Sequence, residues 1–492
     1  MALTCRLIDS FRAQCQNATM RKGQVLLFAV FVLSAVLTFA AGTDEDLKTG
    51  EILDRIVCRQ APDQSYALYL PSAYDASRKW PILYAFDPGA RGKIPLELFQ
   101  GAAEKYGYII VGSNNSQNGP WESVRQAVLA VWSDTHSRLS LDDRRIYTAG
   151  FSGGARAASL FSRMSGRTVA GIIGCGAGLA LNFVKPEDLK SVAYFGIVGL
   201  ADLNYSEMMQ LDRDLAAQDV EHRILVFEGK HDWPPAEICA RAVGWMEIVG
   251  MKREIRPRDE ALIEEIFTAG AEEARSLEEA GNVPRAASAW ESLGNLFKNI
   301  RDTGAVAEHI AELRKQKAYV QGQKDEAKRA EKETVVRSRL VRGLARLDQP
   351  FPDPGLKQTL ISEMGINSLL KEAAKAKTAE DRGLASRLLH DLAVNANQQG
   401  RRYYQENDFA KSSLFFEIAD QASALNPDYR RYILFSLACI HALEGDVKKA
   451  LKSLRSAVEN GFADIEAIET DNDLDSLRKL PEYREIIQTL KK

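Results

Sequence analysis

A chain of 492 residues has room for about two to four domains and exceeds a single compact core. Hydrophobic residues make up 45% of it and charged residues 27%, which is typical of globular proteins and excludes wholesale disorder. The net charge of −3, without a basic cluster interleaved with aromatic residues, excludes a general nucleic-acid binder. Six cysteines, none in a CxxC pair or at zinc-ligand spacing, exclude a disulfide-built scaffold and a zinc site.

The first 42 residues are predicted to be a targeting segment. The run Val25–Ala41 carries no charge and ends in small residues, and Arg21 and Lys22 precede it. This order is typical of a secretory signal, and translation from Met20 would give a more usual signal start. The run also approaches the shortest length that spans a bilayer, so an uncleaved membrane anchor stays open. Residues 1–42 therefore predict export of the remaining chain to the periplasm or outside the cell.

The segment 43–253 alternates short apolar runs with amphipathic stretches, such as residues 123–138 and 155–164. The runs are rich in β-branched or aromatic residues, and most end near Gly, Asp or Asn. Such alternation predicts a domain with a mostly parallel sheet covered by helices. Seven strands are predicted: Ser65–Leu70, Pro81–Asp87, Tyr108–Ser113, Arg145–Gly150, Val169–Gly176, Val192–Gly199 and Arg223–Gly229.

After Arg253 the strand patterns stop, and the sequence predicts an all-α domain over residues 254–492. Ala, Leu, Glu, Lys and Arg predominate, with apolar positions three and four residues apart. The charged stretch 316–346 predicts a long solvated helix or a linker. The segment from Tyr404 to Leu451 resembles tetratricopeptide repeats, which implies stacked helix pairs. Such a domain is expected to bind a partner protein or to cover the mouth of the first domain.

A calcium loop is the alternative interpretation of one C-terminal segment. Asp471, Asp473, Asp475 and Glu482 have the spacing of EF-hand ligands. However, Ser476 stands where the sharp turn requires glycine, and a proline directly precedes the glutamate. The same pattern is typical of the last helix of tetratricopeptide proteins. The sequence therefore predicts no metal.

A nucleophilic serine is indicated by the segment Gly150–Gly154, which has the sequence GFSGG. It matches G-x-S-x-G between a predicted strand and a predicted helix, the context in which that motif indicates catalysis. The glycines remove side chains that would clash in the sharp turn. The turn raises the Ser152 hydroxyl above the sheet, and the helix N-terminus favours negative charge beside it. The backbone N–H of Gly153 is the predicted oxyanion donor.

A serine nucleophile requires a base, and the base requires a carboxylate that orients it. In the fold that carries this motif, both follow the serine in the chain, at the ends of later strands. Asp202 follows the sixth predicted strand and His231 the seventh. The other two histidines of this half, His136 and His222, do not follow a strand. The predicted triad is therefore Ser152, Asp202 and His231.

These residues carry a resemblance to α/β hydrolases of the polyhydroxybutyrate-depolymerase and feruloyl-esterase type, over about residues 60–250. Residues 229–234, GKHDWP, match the G-x-H-x-W-P of that group, and residues 199–202, GLAD, match its G-x-x-D. The resemblance implies an α/β-hydrolase fold, an acyl-enzyme, a small or polymeric ester substrate and no cofactor. Prolyl-oligopeptidase-type peptidases share the serine motif, so a peptidase stays an alternative. A non-catalytic interaction protein, with the first domain as a platform for the repeats, is the other alternative.

The resemblance also implies a second oxyanion donor after the early strand, where such esterases carry His-Gly. Here the segment is Phe-Asp-Pro-Gly-Ala-Arg-Gly, so Gly89 or Ala90 is the predicted donor. Three further side chains are candidates for substrate binding. Trp121 and Trp233 would line the pocket, and Arg156, one turn after the serine, would bind an anionic substrate. Buried packing of the rings and a surface salt bridge of the arginine are the alternatives.

Overall fold

The computed structural model describes residues 47–164, 169–349 and 354–491. The predicted signal or anchor, residues 1–42, lies outside the described residues. Residues 49–492 form one compact unit. No helix in the described ranges is long and apolar enough to cross a membrane.

Eight strands form one sheet in the order β1-β2-β4-β3-β5-β6-β7-β8. β2 runs antiparallel to both of its neighbours, β1 and β4, and all other adjacent pairs are parallel. This is the strand arrangement of an α/β hydrolase, so the predicted fold class is confirmed. The strands are β1 (Ile52–Cys58), β2 (Ala61–Tyr69), β3 (Trp80–Phe86), β4 (Ile109–Ser113), β5 (Leu141–Phe151), β6 (Val169–Cys175), β7 (Ala193–Ala201) and β8 (His222–Lys230).

Helices cover both faces of the sheet, as the alternating pattern predicts. Tyr84 of β3 contacts the rings of Trp132 and Phe161 on one face. Its neighbour Leu83 belongs to the core that contains Phe99 on the other face, because successive strand residues point to opposite sides. The helices are α1 (Lys93–Tyr106), α2 (Trp121–Arg138), α3 (Gly153–Met164), α4 (Tyr205–Ala217) and α5 (Ala236–Lys252).

The edge strand β1 is not among the predicted strands. It pairs antiparallel with β2, with a register irregularity between Leu53 and Ile56. Asp54 and Arg55, which lie at this irregularity, are exposed. The two adjacent charges interrupt the alternation of apolar and polar residues, so the strand pattern is lost there.

The second half of the described chain is helical, which confirms the predicted all-α region. The charged stretch near residues 316–346 is a single helix of 31 residues, α9. The resemblance to tetratricopeptide repeats stays a prediction. The helices are α6 (Glu260–Glu279), α7 (Val283–Phe297), α8 (Gly304–Lys315), α9 (Lys317–Leu347), α10 (Pro354–Met364), α11 (Ile366–Lys375), α12 (Ala379–Gln405), α13 (Phe409–Ala422), α14 (Pro427–Leu443), α15 (Val447–Glu459), α16 (Ile465–Thr470) and α17 (Pro481–Leu490).

Two hydrophobic clusters are present among the described residues. The first includes one face of the sheet, with residues such as Leu83 and Ile110, and continues through α6, α7 and α8 as far as Leu313. The second begins at Val336 and ends at Ile487. Helices α6–α8 thus share the core of the sheet although they follow Arg253. A domain boundary between residues 253 and 254 stays a prediction.

Candidate active site

Ser152 occupies the sharp turn between β5 and α3, with φ of +53°. A positive φ is strained for a residue with a side chain and persists where the surroundings impose it. Here the chain is crowded: a Cβ on Gly150 would lie 2.1 Å from the carbonyl oxygen of Gly154, and a Cβ on Gly154 would lie 1.9 Å from that of Phe86. The Ser152 N–H donates to the Cys175 carbonyl, 2.8 Å away, which fixes the turn to β6.

The three side chains of the predicted triad lie in one line of hydrogen bonds. His231 Nε2 is 3.0 Å from Ser152 Oγ, and His231 Nδ1 is 2.8 Å from Asp202 Oδ1. Asp202 is 1% exposed and also accepts a hydrogen bond from the Asn204 N–H at 2.8 Å. Because β5, β7 and β8 are parallel, the segments after them meet at one edge of the sheet. This arrangement suits proton transfer from a serine hydroxyl to an oriented imidazole.

The turn after β3 carries the two predicted candidates for the second oxyanion donor, Gly89 and Ala90. The Gly89 N–H donates to Asp87 Oδ1 at 2.8 Å, and the Ala90 N–H donates to the Asp87 carbonyl at 3.0 Å. Both N–H groups are therefore engaged within the turn. Burial acts to raise the pKa of Asp87, but hydrogen bonds from Arg91, Trp233 and Gly89 outweigh it and hold that pKa below its usual value.

Asn118, which the sequence did not single out, lies against Gly153. Its N–H donates to the carbonyl of Pro88, 2.8 Å away, so the loop after β4 is fixed to the turn after β3. A Cβ on Gly153 would lie 1.7 Å from Asn118 Oδ1. The Gly153 N–H belongs to the first turn of α3, where the helix itself offers no acceptor.

Arg156, the predicted anion-binding candidate, is already paired. Its guanidinium donates to both carboxylate oxygens of Glu207, at 2.8 and 2.9 Å, and to the Leu179 carbonyl at 3.2 Å. Burial acts to raise the pKa of Glu207, but the hydrogen bonds and charge of Arg156 hold it below its usual value. The end of the guanidinium that carries both Nη atoms is thus occupied by a charge-assisted, bidentate pair.

The two predicted tryptophans have different surroundings. The Trp233 indole N–H donates to Asp87 at 2.9 Å, and its ring centroid lies 5.7 Å from that of Phe151. Trp121, half-buried at the start of α2, contacts the ring of Phe183 edge-on at 5.6 Å. Trp233 therefore supports the Asp87 turn beside the triad. Trp121 and the exposed Phe183 form an aromatic pair between the start of α2 and the loop after β6.

Helices of the second half pack on the strand ends that carry the triad. His390 of α12 faces His231, with ring centroids 6.0 Å apart. Arg387, also of α12, donates to the Leu200 carbonyl at 2.9 Å, two residues before Asp202. Lys230 forms an ion pair with Asp428 at the start of α14. Residues from both halves of the chain thus surround the catalytic candidates.

Two cavities lie between the halves. The smaller, about 120 Å³, is next to the triad and is lined by Ala201, Lys230, Ser386, Leu389, His390, Ala393, Ala422, Ser423, Leu425, Asn426 and Tyr429. The larger, about 660 Å³, is lined by side chains such as Arg223, Glu273, Arg285 and Glu380. These four residues form two ion pairs across the cavity wall, Arg223 with Glu273 and Arg285 with Glu380. No triad residue lines either cavity.

Among the described residues, Cys439, Asp471 and Asp473 place three ligand-type atoms within 4.8 Å of one another. All three are engaged otherwise. The Cys439 thiol contacts Asp471 at 3.8 Å, and Asp473 accepts a hydrogen bond from the Tyr404 hydroxyl at 2.7 Å. Burial and the neighbouring carboxylates raise the pKa of Cys439, which disfavours the thiolate that a metal would need. No metal centre is assigned.

No protein-family model matches the sequence. No curated protein matches it either. Among solved structures, S-formylglutathione hydrolase from Staphylococcus aureus is 14% identical, covering 40% of this chain and 98% of its own, with a TM-score of 0.34. The fluorophosphonate-binding serine hydrolase F of Staphylococcus aureus is 15% identical, and the match covers 40% of this chain and 99% of that hydrolase, with a TM-score of 0.33. A mutant feruloyl esterase module from Clostridium thermocellum, complexed with sinapinate, is 17% identical. The match covers 40% of this chain and 86% of that module, with a TM-score of 0.32. These values are too low to bear on the reaction.

Proposed function

We propose that the protein is a serine hydrolase that cleaves ester bonds through an acyl-enzyme. One observation carries the proposal: the hydrogen-bonded line from Ser152 Oγ through His231 to the buried Asp202, at 3.0 and 2.8 Å. A strained serine, an imidazole in contact with it and a buried carboxylate behind the imidazole together meet the geometric requirements of nucleophilic catalysis.

In the proposed reaction, Ser152 Oγ forms a bond to the carbonyl carbon while His231 Nε2 takes the hydroxyl proton. The tetrahedral intermediate collapses, the bond to the alcohol oxygen breaks, and the imidazolium gives its proton to that leaving oxygen. A water molecule then attacks the acyl-enzyme by the same route and releases the acid. Asp202 holds the Nδ1–H tautomer of His231 throughout and stabilises the imidazolium.

The negative charge that develops on the carbonyl oxygen is stabilised by the Gly153 N–H. This group lies at the N-terminus of α3, where the helix dipole also favours an anion. The substrate class is a small or polymeric ester. Since α12 and α14 pack on the strand ends around His231, the second half of the chain covers part of the mouth and limits the approach of the substrate.

The remaining parts of the proposal rest on the sequence. The uncharged run Val25–Ala41 supports export, so the reaction takes place in the periplasm or outside the cell, with a membrane anchor if the signal is not cleaved. The helical half also binds a partner protein in this proposal, as helical repeats do.

A fluorophosphonate probe tests the catalytic proposal directly. We expect covalent labelling of the folded wild-type protein and none of Ser152→Ala. Absence of labelling in the folded wild type, or equal labelling of the variant, would refute the hydrolase and favour a non-catalytic interaction protein. A panel of short acyl, feruloyl and peptide substrates then separates an esterase from a peptidase, because a peptidase hydrolyses the amide as well as the ester.

A further inference from the structure

The oxyanion site needs a second donor, and the two N–H groups predicted for this role, those of Gly89 and Ala90, both have partners within the turn after β3. We propose that the side-chain amide of Asn118 is this donor, an inference that rests on the hydrolase function proposed above. Pro88 has no N–H, and the N–H groups of Gly89 and Ala90 both donate to Asp87. The Arg91 N–H also faces Asp87 Oδ1, at 3.4 Å. The N–H groups of Gly89, Ala90 and Arg91 are thus all directed at Asp87, and the next one, that of Gly92, donates to Asn114 Oδ1 at 3.2 Å.

Asn118 lies where a second donor is required. Its amide fills the space beside Gly153, since a Cβ on Gly153 would be 1.7 Å from Oδ1, 2.5 Å from Cγ and 2.8 Å from Nδ2. The φ of Gly153 is not in the left-handed region, so the backbone itself would accept a side chain there. The three nearest atoms that a side chain would meet there all belong to the Asn118 amide. This amide adjoins the residue whose N–H is the first donor.

The position of Asn118 is fixed while its amide remains available. The backbone N–H of Asn118 donates to Pro88 at 2.8 Å, which holds the residue in place. Its side chain is exposed, and within the described ranges the amide makes no hydrogen bond. The χ2 torsion of asparagine is soft, so a turn of the amide brings Nδ2 to the place of Oδ1. Both amide hydrogens are then free to meet a substrate oxygen.

The chemistry follows from the charge that develops on the substrate. When Ser152 adds to the ester, the carbonyl oxygen becomes an anion, and two donors then point to it: the Gly153 N–H and the Asn118 amide. A neutral amide held beside Ser152 by its backbone stabilises this anion more than the uncharged carbonyl, so it lowers the barrier without tightening substrate binding. Removal of one donor of this type costs about 10²–10³-fold in kcat.

The test compares Asn118→Ala and Asn118→Asp with Gln117→Ala, which removes the adjacent exposed amide. On a p-nitrophenyl ester we expect both Asn118 variants to lose about 10²–10³-fold in kcat, with KM changed a few-fold at most. Asn118→Asp keeps the shape but replaces the donor with a negative acceptor, so its loss should be at least as large. Gln117→Ala should match the wild type, and circular dichroism should show all three folded.

A second variant separates donation from packing. Gly153→Ala keeps the backbone N–H but its Cβ collides with the amide, so it should displace Asn118 and lose about as much kcat as Asn118→Ala. The double variant Asn118→Ala/Gly153→Ala should lose no more than Asn118→Ala alone, since the amide is already gone. Additive losses would show that the two positions act separately and would overturn the inference.

The remaining outcomes are also decisive. A wild-type kcat in Asn118→Ala, or a loss confined to KM, overturns the role of Asn118 and leaves the serine hydrolase intact. A wild-type protein that neither turns over esters nor reacts with the fluorophosphonate probe refutes the proposed function, and the inference falls with it. The two failures are therefore distinguishable.

Discussion

The imidazole of His390 stands edge-on to the imidazole of His231, with ring centroids 6.0 Å apart and planes at 85°. His390 lies on α12 in the helical half, whereas His231 follows β8 of the sheet. Burial, together with the charges of His231 and Lys230, lowers the pKa of His390 to about 4. His390 is therefore uncharged at neutral pH. An uncharged neighbour does not repel the imidazolium that forms on His231 in the proposed reaction.

This relationship predicts a specific pH dependence of stability. The pKa of His390 is about 4 in the folded protein against 6.5 in an unfolded chain, so between these values the unfolded chain binds the proton. The contribution of His390 to the free energy of unfolding is therefore fully present above pH 6.5. It falls by up to about 3 kcal/mol as the pH drops to 4. Urea unfolding of the wild type and of His390→Gln from pH 7 to pH 4.5 measures it.

The difference between the unfolding free energies of the wild type and of His390→Gln gives the contribution of His390 alone, because all other groups titrate in both proteins. We expect the free energy of unfolding of His390→Gln to fall less steeply with acid. Parallel curves would contradict the prediction.

Arg387 connects the helical half to the site through a buried ion pair. Arg387 is 4% exposed. Its guanidinium donates to the Leu200 carbonyl at 2.9 Å and to the Glu333 carboxylate at 2.6 Å. Burial acts to raise the pKa of Glu333, but the hydrogen bonds from Arg387, Ser206 and Arg337 hold it below its usual value. Arg387→Met should therefore destabilise the protein by about 3–5 kcal/mol, because it leaves a buried carboxylate without its main partner.

A double variant distinguishes the loss of the pair from the loss of its packing. Arg387→Met/Glu333→Leu removes both charges, so most of the stability should return. The kcat of Arg387→Met should also fall, since Leu200 precedes Asp202 by two residues. Denaturant unfolding and ester kinetics on the same samples measure both effects. A double variant as unstable as the single one would show that the charge of Glu333 is not the cause.

The triad should act as one unit. Ser152→Ala and His231→Ala are each expected to lose about 10⁴–10⁶-fold in kcat, and the double variant should lose little more, because either change alone ends proton transfer from the serine. Steady-state kinetics with a short acyl ester measures this, after removal of any background esterase. Losses that multiply in the double variant would show that the two residues do not share a mechanism.

Local patterns explain how much of this site the sequence could predict. Ser152, Asp202 and His231 each follow a strand end, and parallel strands bring their ends together, so spacing was sufficient. β1 was missed because Asp54 and Arg55 interrupt its alternation.

Other contacts depend on tertiary packing. Arg156 pairs with Glu207, 51 residues away, which no local pattern indicates. Asn118 reaches Gly153 through the path of a loop, and His390 reaches His231 only when the two halves pack. Such contacts leave no periodic signal in the sequence.

The last prediction concerns where the sheet-bearing part of the chain can end. Helix α6 packs directly on the sheet-bearing residues before Arg253. Arg223 pairs with Glu273 at 3.5 Å, and Lys105 forms an ion pair with Glu265. The first hydrophobic cluster includes Leu262, Trp290 and Leu313. A chain truncated after Arg253 would expose the apolar face of α5 that these helices cover, so it should aggregate.

A chain truncated after Lys315 keeps that cluster complete, and we expect it to remain soluble. It still contains Ser152, Asp202 and His231, so the fluorophosphonate probe should label it. Its mouth lacks α12 and α14, so bulky esters that the full chain excludes should become substrates. Size-exclusion chromatography of both truncated chains measures whether they aggregate, and labelling with the fluorophosphonate probe measures whether the serine is reactive. A soluble, reactive chain ending at Arg253 would place the boundary at residues 253 and 254, whereas aggregation of the longer chain would mean that α9–α17 are needed to fold the sheet.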